Sequence, residues 1–235
     1  MINNTFEEDR EWTEFNEKFA NVYDDLNYTK SLQGYAMRAG HKMAESAFKK
    51  TDFFGRVLEI GAGTGEHLPF VRHQFDEYVL SDMSPEPLEV AKKKLEGLHD
   101  GKLKFELQTG EKLSYEDNSF DRLIAAHVLE HIYYPHLALK EWSRVVKDGG
   151  IMTILLPTDP SFAWRFSRNL GPRKNAHKQN IAYDYVMARQ HVNSCNGLIA
   201  FLRHYFPKRK ESWWPCRVPF LDINLFFVYQ AVVSK

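Results

Sequence analysis

The chain has 235 residues, 43% hydrophobic and 14% aromatic, enough for one domain that buries a good core. No apolar run approaches the ~20 residues of a spanning helix, and Cys195 and Cys216 form neither a disulfide scaffold nor a metal-type spacing. The formal net charge is zero, and the acidic, polar start (Glu7, Glu8, Asp9) lacks a secretory pattern, so a cytoplasmic location is expected.

In chain order, residues 1–50 carry Phe19, Val22, Tyr23, Leu26, Tyr28, Tyr35 and Met37 and read as a helical cap. Such helices either cover a sheet edge or close over a ligand, and the spacing leaves both open. Val57, Leu58 and Ile60 read as a buried strand that ends in Gly61-Ala62-Gly63-Thr64-Gly65. Glycine suits this turn because a side chain would stop the backbone from lying against a ligand. Leu68, Val71 and Phe75 at helical spacing predict a helix after it. Residues 78–82 predict the second strand, and Pro85 opens a helix with Leu88, Ala91, Leu95 and Leu98 on one face. Its other face, Lys92-Lys93-Lys94, reads as solvated. A third strand is expected over Leu103–Leu107 and a fourth over 119–126, leading into His127-Val128-Leu129-Glu130-His131. Pro135 opens a helix bearing Leu139, Trp142 and Val146, closed by Asp148-Gly149-Gly150, before a fifth strand at 151–156. A helix over 192–206 and a hairpin whose last strand covers 223–229 complete the pattern. Strands alternating with helices predict an α/β fold, a doubly wound, mostly parallel sheet with right-handed crossovers.

The turn discriminates between ligands. Dinucleotide binders use Gly-x-Gly-x-x-Gly under a pyrophosphate. Counted from Gly61 the third glycine position holds Glu66, whose carboxylate would repel a diphosphate and argues against NAD or FAD. Glu59-x-Gly61-x-Gly63-x-Gly65 instead resembles the motif of class I S-adenosylmethionine-dependent methyltransferases, and residues 57–157 follow that family's order of elements. The resemblance implies a seven-stranded, Rossmann-like methyltransferase fold with a C-terminal antiparallel strand, and S-adenosylmethionine as cofactor. It implies that Gly61, Ala62, Gly63 and Gly65 pass under the methionine part, with Glu59 near its amino group. Asp82 would take the ribose hydroxyls, with Met83 and His127 beside the cofactor; the plainer alternative is that Asp82 and Ser84 cap the next helix. Where the family commonly carries an adenine-binding Asp, this chain has Thr109, so Glu111 or a backbone group is the substitute candidate, or the adenine is held mainly by stacking. The implied segments are a cap at 1–50, a cofactor-binding core at 51–157, a substrate-recognition insert at 158–191, and the last helix and strands at 192–235. Tyr28 and Tyr35 would line the site, with Lys42 near the cofactor carboxylate.

Zero net charge conceals an asymmetry. Residues 1–159 hold 19 Lys and Arg against 28 Asp and Glu, a net of −9, while residues 160–217 hold 11 against 2, a net of +9. The insert interleaves Arg165, Arg168, Arg173 and Arg189 with Phe162, Trp164, Phe166, Tyr183 and Tyr185. Arginine recognises phosphate or carboxylate in bidentate fashion, so the expected partner is a small anionic or phosphate-bearing acceptor; the alternative is an ordinary solvated excursion. A second expectation is a lipid head-group methyltransferase in peripheral contact with an anionic membrane, with Trp213-Trp214-Pro215-Cys216-Arg217 at the interface. DNA is disfavoured as a substrate, because the Asn/Asp-Pro-Pro-aromatic sequence of amino-directed DNA methylases is replaced by Ala125-Ala126-His127-Val128 and the Pro-Cys nucleophile is absent.

His127-Val128-Leu129-Glu130-His131 also spells an inverted metallopeptidase pattern, but no third ligand is evident from the sequence and no metal is expected. Displacement on a sulfonium methyl needs alignment and exclusion of water, and a hydroxyl nucleophile also needs its proton removed. His127, His131, Tyr183 and His191 are the candidate catalytic groups. The expected activity is methyl transfer to nitrogen or oxygen of a small acceptor; a non-catalytic S-adenosylmethionine-binding scaffold is the alternative from another class.

Overall fold

A computed structural model describes residues 32–235. Tyr28 and the apolar positions before it lie outside the described residues. The strands are β1 (Phe53–Ile60), β2 (Gln74–Asp82), β3 (Leu103–Leu107), β4 (Phe120–Ala126), β5 (Val146–Pro157), β6 (Arg209–Trp214) and β7 (Phe226–Val232). They form one seven-stranded sheet in the order β3-β2-β1-β4-β5-β7-β6. The first five are parallel, and β7 runs antiparallel to both β5 and β6. The expected doubly wound sheet with its antiparallel C-terminal strand is the fold observed.

Alternation along β1 explains the two layers of core. Leu58 and Ile60 pack on one face with Leu123, Ala125, Trp142 and Leu198. Val57 packs on the other with Tyr78, Leu80, Ala91 and Ile124. A strand buried on both faces belongs at the centre of a parallel sheet, and the crossover there places the ends of β1 and β4 side by side. Helices α1 (Leu32–Glu45), α2 (Pro85–Lys94) and α3 (Pro135–Val145) pack on this sheet. Met37 and Ala44 of α1 pack with Leu155, Phe226 and Val228, and a Cβ at Gly40 would already touch Leu155 and Phe226 at 3.4 Å.

Several boundaries differ from expectation. No α-helix follows the glycine turn: Leu68–Phe70 is a single 3-10 turn with Pro69 in it, and Phe75 lies in β2, which starts at Gln74. Only residues 61–73 separate β1 from β2, and Pro69 cannot donate within a longer helix. Val146 opens β5 rather than closing α3. The last strand runs Phe226–Val232, three residues later than expected, because Leu221–Ile223 forms a 3-10 turn. Buried Asn224 holds that turn, donating to the carbonyls of Val218 and Phe220 and accepting from the Cys216 amide.

After β5 the chain forms α4 (Phe162–Leu170), α5 (Pro172–Lys178), α6 (Tyr183–Gln190) and α7 (Cys195–Tyr205). Ser161 Oγ caps α4 by accepting the Trp164 amide at 3.1 Å. No α4 residue is buried; Phe162, Phe166 and Leu170, at i, i+4 and i+8, are 63%, 55% and 56% exposed. An amphipathic helix with its apolar stripe uncovered frames the opening described next.

Candidate active site

The turn after β1 is built from three left-handed residues, Gly61 (φ +64°), Gly63 (φ +52°) and Gly65 (φ +77°). A Cβ at Gly61 would fall 2.4 Å from Val128 Cγ2, so the turn packs tightly against the loop after β4. A Cβ at Gly63 would meet nothing within 4 Å. The middle of the turn therefore faces open space and can receive a ligand against bare backbone. Ala62 is buried, its amide donating to the Ser81 carbonyl.

Asp82 Oδ2 accepts the Gly63 amide at 2.9 Å, and Asp82 Oδ1 accepts the Ser84 amide at 3.0 Å. The carboxylate thus ties the turn to the start of α2 and keeps lone pairs for ligand hydroxyls. Neither Asp82 nor Ser84 caps α2 through its side chain; the Asp82 bond goes to the amide of Ser84, the residue before the helix. Met83, 75% exposed, and Leu107, 60% exposed and paired with Asp82 across the strands, leave apolar surface there on which a flat ring can lie. Thr109 closes a tight turn by donating to the Lys112 carbonyl, and Glu111 is exposed in that turn. Glu66 pairs with Lys94, and its charge still stands where a diphosphate-binding turn would have glycine.

Glu59 sits below the turn rather than in the opening. It is buried, Tyr78 Oη donates to its Oε2 at 2.6 Å, and burial raises its pKa. Side chains of the central strand alternate, and Glu59 falls on the face shared with Tyr78. Lys42 is exposed, whereas its neighbour His41 is buried and stacked on Phe70, ring centroids 5.4 Å apart. His41 Nδ1 lies 2.9 Å from His67 Nδ1, and His67 Nε2 lies 3.0 Å from Glu45, which also accepts from Arg122. Burial alone would raise the Glu45 pKa, but the Arg122 guanidinium and the His67 bond hold it well below the usual carboxylate range. The ionised Glu45 takes the Nε2 hydrogen of His67, and this network fixes His41 beside the turn. Sequence reasoning did not find His41, His67, Glu45 or Arg122.

His127 directly follows β4 with φ +60°, a left-handed conformation uncommon for a side-chain-bearing residue. Its ring lies 5.4 Å from that of Phe226 and 5.9 Å from that of His41, and its Nε2 is buried without a partner. From His127 a cavity of about 700 Å³ extends under α4–α6. Its walls are mainly apolar, with Met37, Trp164, Phe166, Leu170, Met187 and Phe226 among them. Glu130, His131, Tyr183 and His191 also line it, so the four candidate catalytic residues share one chamber. Tyr183 is buried, and burial raises its hydroxyl pKa.

The arginines of the insert do not converge. Arg168 alone of the four lines the cavity, and it donates to Asp159 Oδ2 at 2.6 Å while lying near the faces of Trp164 and Tyr183. Arg165 is exposed, Arg173 pairs with Asp184 at the surface, and Arg189 donates to the Tyr185 hydroxyl at 3.0 Å. This corrects the expected anion clamp: on short amphipathic helices the charges turn outward and the aromatics face the chamber. Tyr35 is 60% exposed and its ring tilts against Trp214, centroids 6.2 Å apart. Asp159, unremarked in the sequence, also accepts from His191 Nδ1 at 2.9 Å. Burial opposes its charge, but His191 and Arg168 hold its pKa below the ordinary value.

Residues 58–154 match the family model described as a methyltransferase domain. A phosphatidylethanolamine N-methyltransferase of Cereibacter sphaeroides is 30% identical over 163 residues, 63% of this chain and 79% of that protein. Methyltransferase GfsG of Streptomyces halstedii is 31% identical over 121 residues, 49% of this chain; the matched part is 43% of that longer relative, so the chain spans less than half of it. The crystal structure of the PH0226 protein from Pyrococcus horikoshii OT3 superposes with a TM-score of 0.65 and 18% identity, covering 92% of this chain and 99% of that one, a likeness of fold. The open glycine turn and Asp82 fit a nucleoside without a pyrophosphate. With residues 58–154 and most of a curated relative matched, the chain belongs to the class I S-adenosylmethionine-dependent methyltransferase family.

Proposed function

We propose that this protein methylates an oxygen or nitrogen of an amphiphilic acceptor, whose apolar body occupies the chamber under α4–α6 and whose polar end reaches His127, His131 and His191. The observation that carries this reading is the chamber itself: about 700 Å³, walled by aromatic and aliphatic side chains, with Arg168, the one arginine among its described lining residues, paired to Asp159. A pocket of that size holds a lipid-like or polycyclic body, and burying such a body stabilises the complex by about 25 cal/mol per Å². A small phosphorylated metabolite would find no free arginine among the described lining residues. The lipid head-group alternative is thus favoured over the small anionic metabolite.

When bound, S-adenosylmethionine supplies a methyl group already activated on a sulfonium. The chain's own residues do the rest. Gly63 leaves backbone bare for the donor, Gly61 and Gly65 let the turn pack closely on Val128 and Leu95, and Asp82 offers carboxylate oxygens to the donor's hydroxyls. The Glu45–His67–His41 network holds an imidazole in fixed orientation at the edge of the turn. His127, strained and wedged between His41 and Phe226, marks the passage from turn to chamber. Apolar walls exclude water there and align the two reactants, which is most of what displacement on a sulfonium needs. The test is a transfer assay with labelled S-adenosylmethionine against detergent-dispersed phosphatidylethanolamine, prenylated phenols and water-soluble phosphorylated amines. Label is expected in an amphiphile; label confined to the water-soluble phosphorylated amines contradicts the reading.

A further inference from the structure

One end of the chamber carries a group of side chains that methyl transfer by alignment alone does not require. Glu130, His131 and His191 each offer a ligand atom, and these atoms all lie within 4.8 Å of one another. Among the described residues no other group of three such side chains brings one ligand atom from each within that distance of the others. We propose that Glu130, His131 and His191 form a binding site for a divalent transition-metal ion such as Zn²⁺, placed to hold the hydroxyl oxygen of the methyl acceptor.

The hydrogen bonds around the two rings set their tautomers. His131 Nδ1 lies 2.9 Å from the carbonyl oxygen of Gln190, and a carbonyl only accepts, so that nitrogen carries the hydrogen. His191 Nδ1 lies 2.9 Å from Asp159 Oδ2, a carboxylate that Arg168 also holds. In the neutral form of each ring, Nε2 then keeps its lone pair. An imidazole that donates one N–H to a carbonyl or carboxylate and presents the other nitrogen is the usual disposition of a metal-bound histidine. Glu130 makes the third side. Its side chain is 3% exposed, its Oε2 is buried without a partner, and its Oε1 lies 3.7 Å from His127 Nδ1 and 3.9 Å from His131 Nε2, too far for hydrogen bonds. A buried carboxylate left in that state is costly, and a cation among the three repays it.

The donor set selects the ion. Two imidazoles and one carboxylate are the three protein ligands of an open zinc site, whose fourth position takes water or substrate. One carboxylate is too few oxygen donors for Ca²⁺, and Mg²⁺ disfavours imidazole. The motif His127-x-x-Glu130-His131 alone misplaces the ligands: His191, distant in sequence, completes the set, and Glu130 is a ligand rather than a base.

This inference rests on the methyltransferase reading for its consequence, namely that the acceptor is an alcohol or phenol. Held at the open position, such a hydroxyl loses its proton more readily. The O–H bond breaks and the proton passes to a neighbouring base, His127 Nε2 being the unpartnered nitrogen at that end. The oxygen–methyl bond forms as the sulfur–methyl bond breaks, leaving a methyl ether and a neutral thioether.

The test uses the whole chain in a Cys216→Ser background, which removes its exposed thiol. Zn²⁺ is titrated against a chromogenic chelator, Co²⁺ is followed by its visible absorption, and S-adenosylhomocysteine binding is measured in parallel. One Zn²⁺ per chain is expected. His131→Ala combined with His191→Ala should abolish stoichiometric binding, and Asp159→Asn should weaken it about 10- to 100-fold. His177→Ala, at an exposed site away from the cluster, should change nothing. Unchanged S-adenosylhomocysteine affinity in each variant shows that the fold and cofactor site survive. No Zn²⁺ uptake by a chain that binds S-adenosylhomocysteine overturns the metal site alone, as does equal uptake by the double variant. Failure to bind S-adenosylhomocysteine overturns the methyltransferase reading, whatever the metal does.

Discussion

Two neighbouring glycines should fail in different ways when each gains one methyl group. Gly61→Ala forces a left-handed conformation on alanine, which costs about 1–2 kcal/mol. It also drives a Cβ to within 2.4 Å of Val128 Cγ2, and such overpacking adds about 1–3 kcal/mol. The sum, about 2–5 kcal/mol, lowers the melting temperature by roughly 2–4 °C per kcal/mol for a chain of this size. Gly63→Ala pays only the conformational part, because its Cβ meets nothing within 4 Å. That Cβ instead occupies the space over the turn. In thermal unfolding with S-adenosylhomocysteine at about 100 times its Kd, the wild type should gain about 2.7 kcal/mol, and Gly63→Ala should lose most of that gain. Adding Val128→Ala to Gly61→Ala should recover stability, since it removes the clashing methyl. If Gly63→Ala keeps the full ligand-induced shift, or if Gly61→Ala is no less stable than Gly63→Ala, the tight-wall and open-cradle assignment is wrong.

Burial, with the nearby Arg122 charge, lowers the pKa of His73 to about 4, below the ~6.5 of an unfolded histidine. The unfolded chain then binds the extra proton first, so stability is complete above about pH 6.5 and falls as the pH drops towards 4, by on the order of 3 kcal/mol. Chemical denaturation against pH should show that slope, and His73→Phe should flatten it. Arg122→Met strands the buried Glu45 carboxylate and should cost about 3–5 kcal/mol, while Arg122→Met with Glu45→Met should cost less; equal losses in urea melts would contradict a paired buried ion. Phe166→Asp should raise the acceptor KM about 10- to 100-fold, the worth of a buried aromatic contact of about 1.5–3 kcal/mol. Arg165→Glu and Arg173→Glu should leave it within about twofold, and the reverse pattern in steady-state kinetics would restore the anionic-acceptor expectation.

What could be read from residues alone was what short range determines. The strand before Gly61, the turn, Asp82 and the helix opened by Pro85 stand where local rules put them, because glycine conformation and proline geometry act within a few residues. The segment with Leu68, Val71 and Phe75 misled, since three apolar residues at helical spacing also fit a 3-10 turn leading into a strand. The +9 charge of residues 160–217 was real, but composition does not say which way side chains point, and the helices turned most of it outward. The polar networks left no local trace at all. Arg122 and Glu45 are 77 positions apart and His191 and Asp159 are 32 apart, and only the packing of the sheet and insert joins them. His191 is one of four candidate catalytic groups in the sequence, and its partner through Nδ1 is visible only with the fold.

Titration calorimetry with S-adenosylhomocysteine and, separately, NADH tests the cradle most directly. One molecule of S-adenosylhomocysteine bound per chain, with no heat from NADH, is the expected result. Saturable binding of NADH with none of S-adenosylhomocysteine would contradict it.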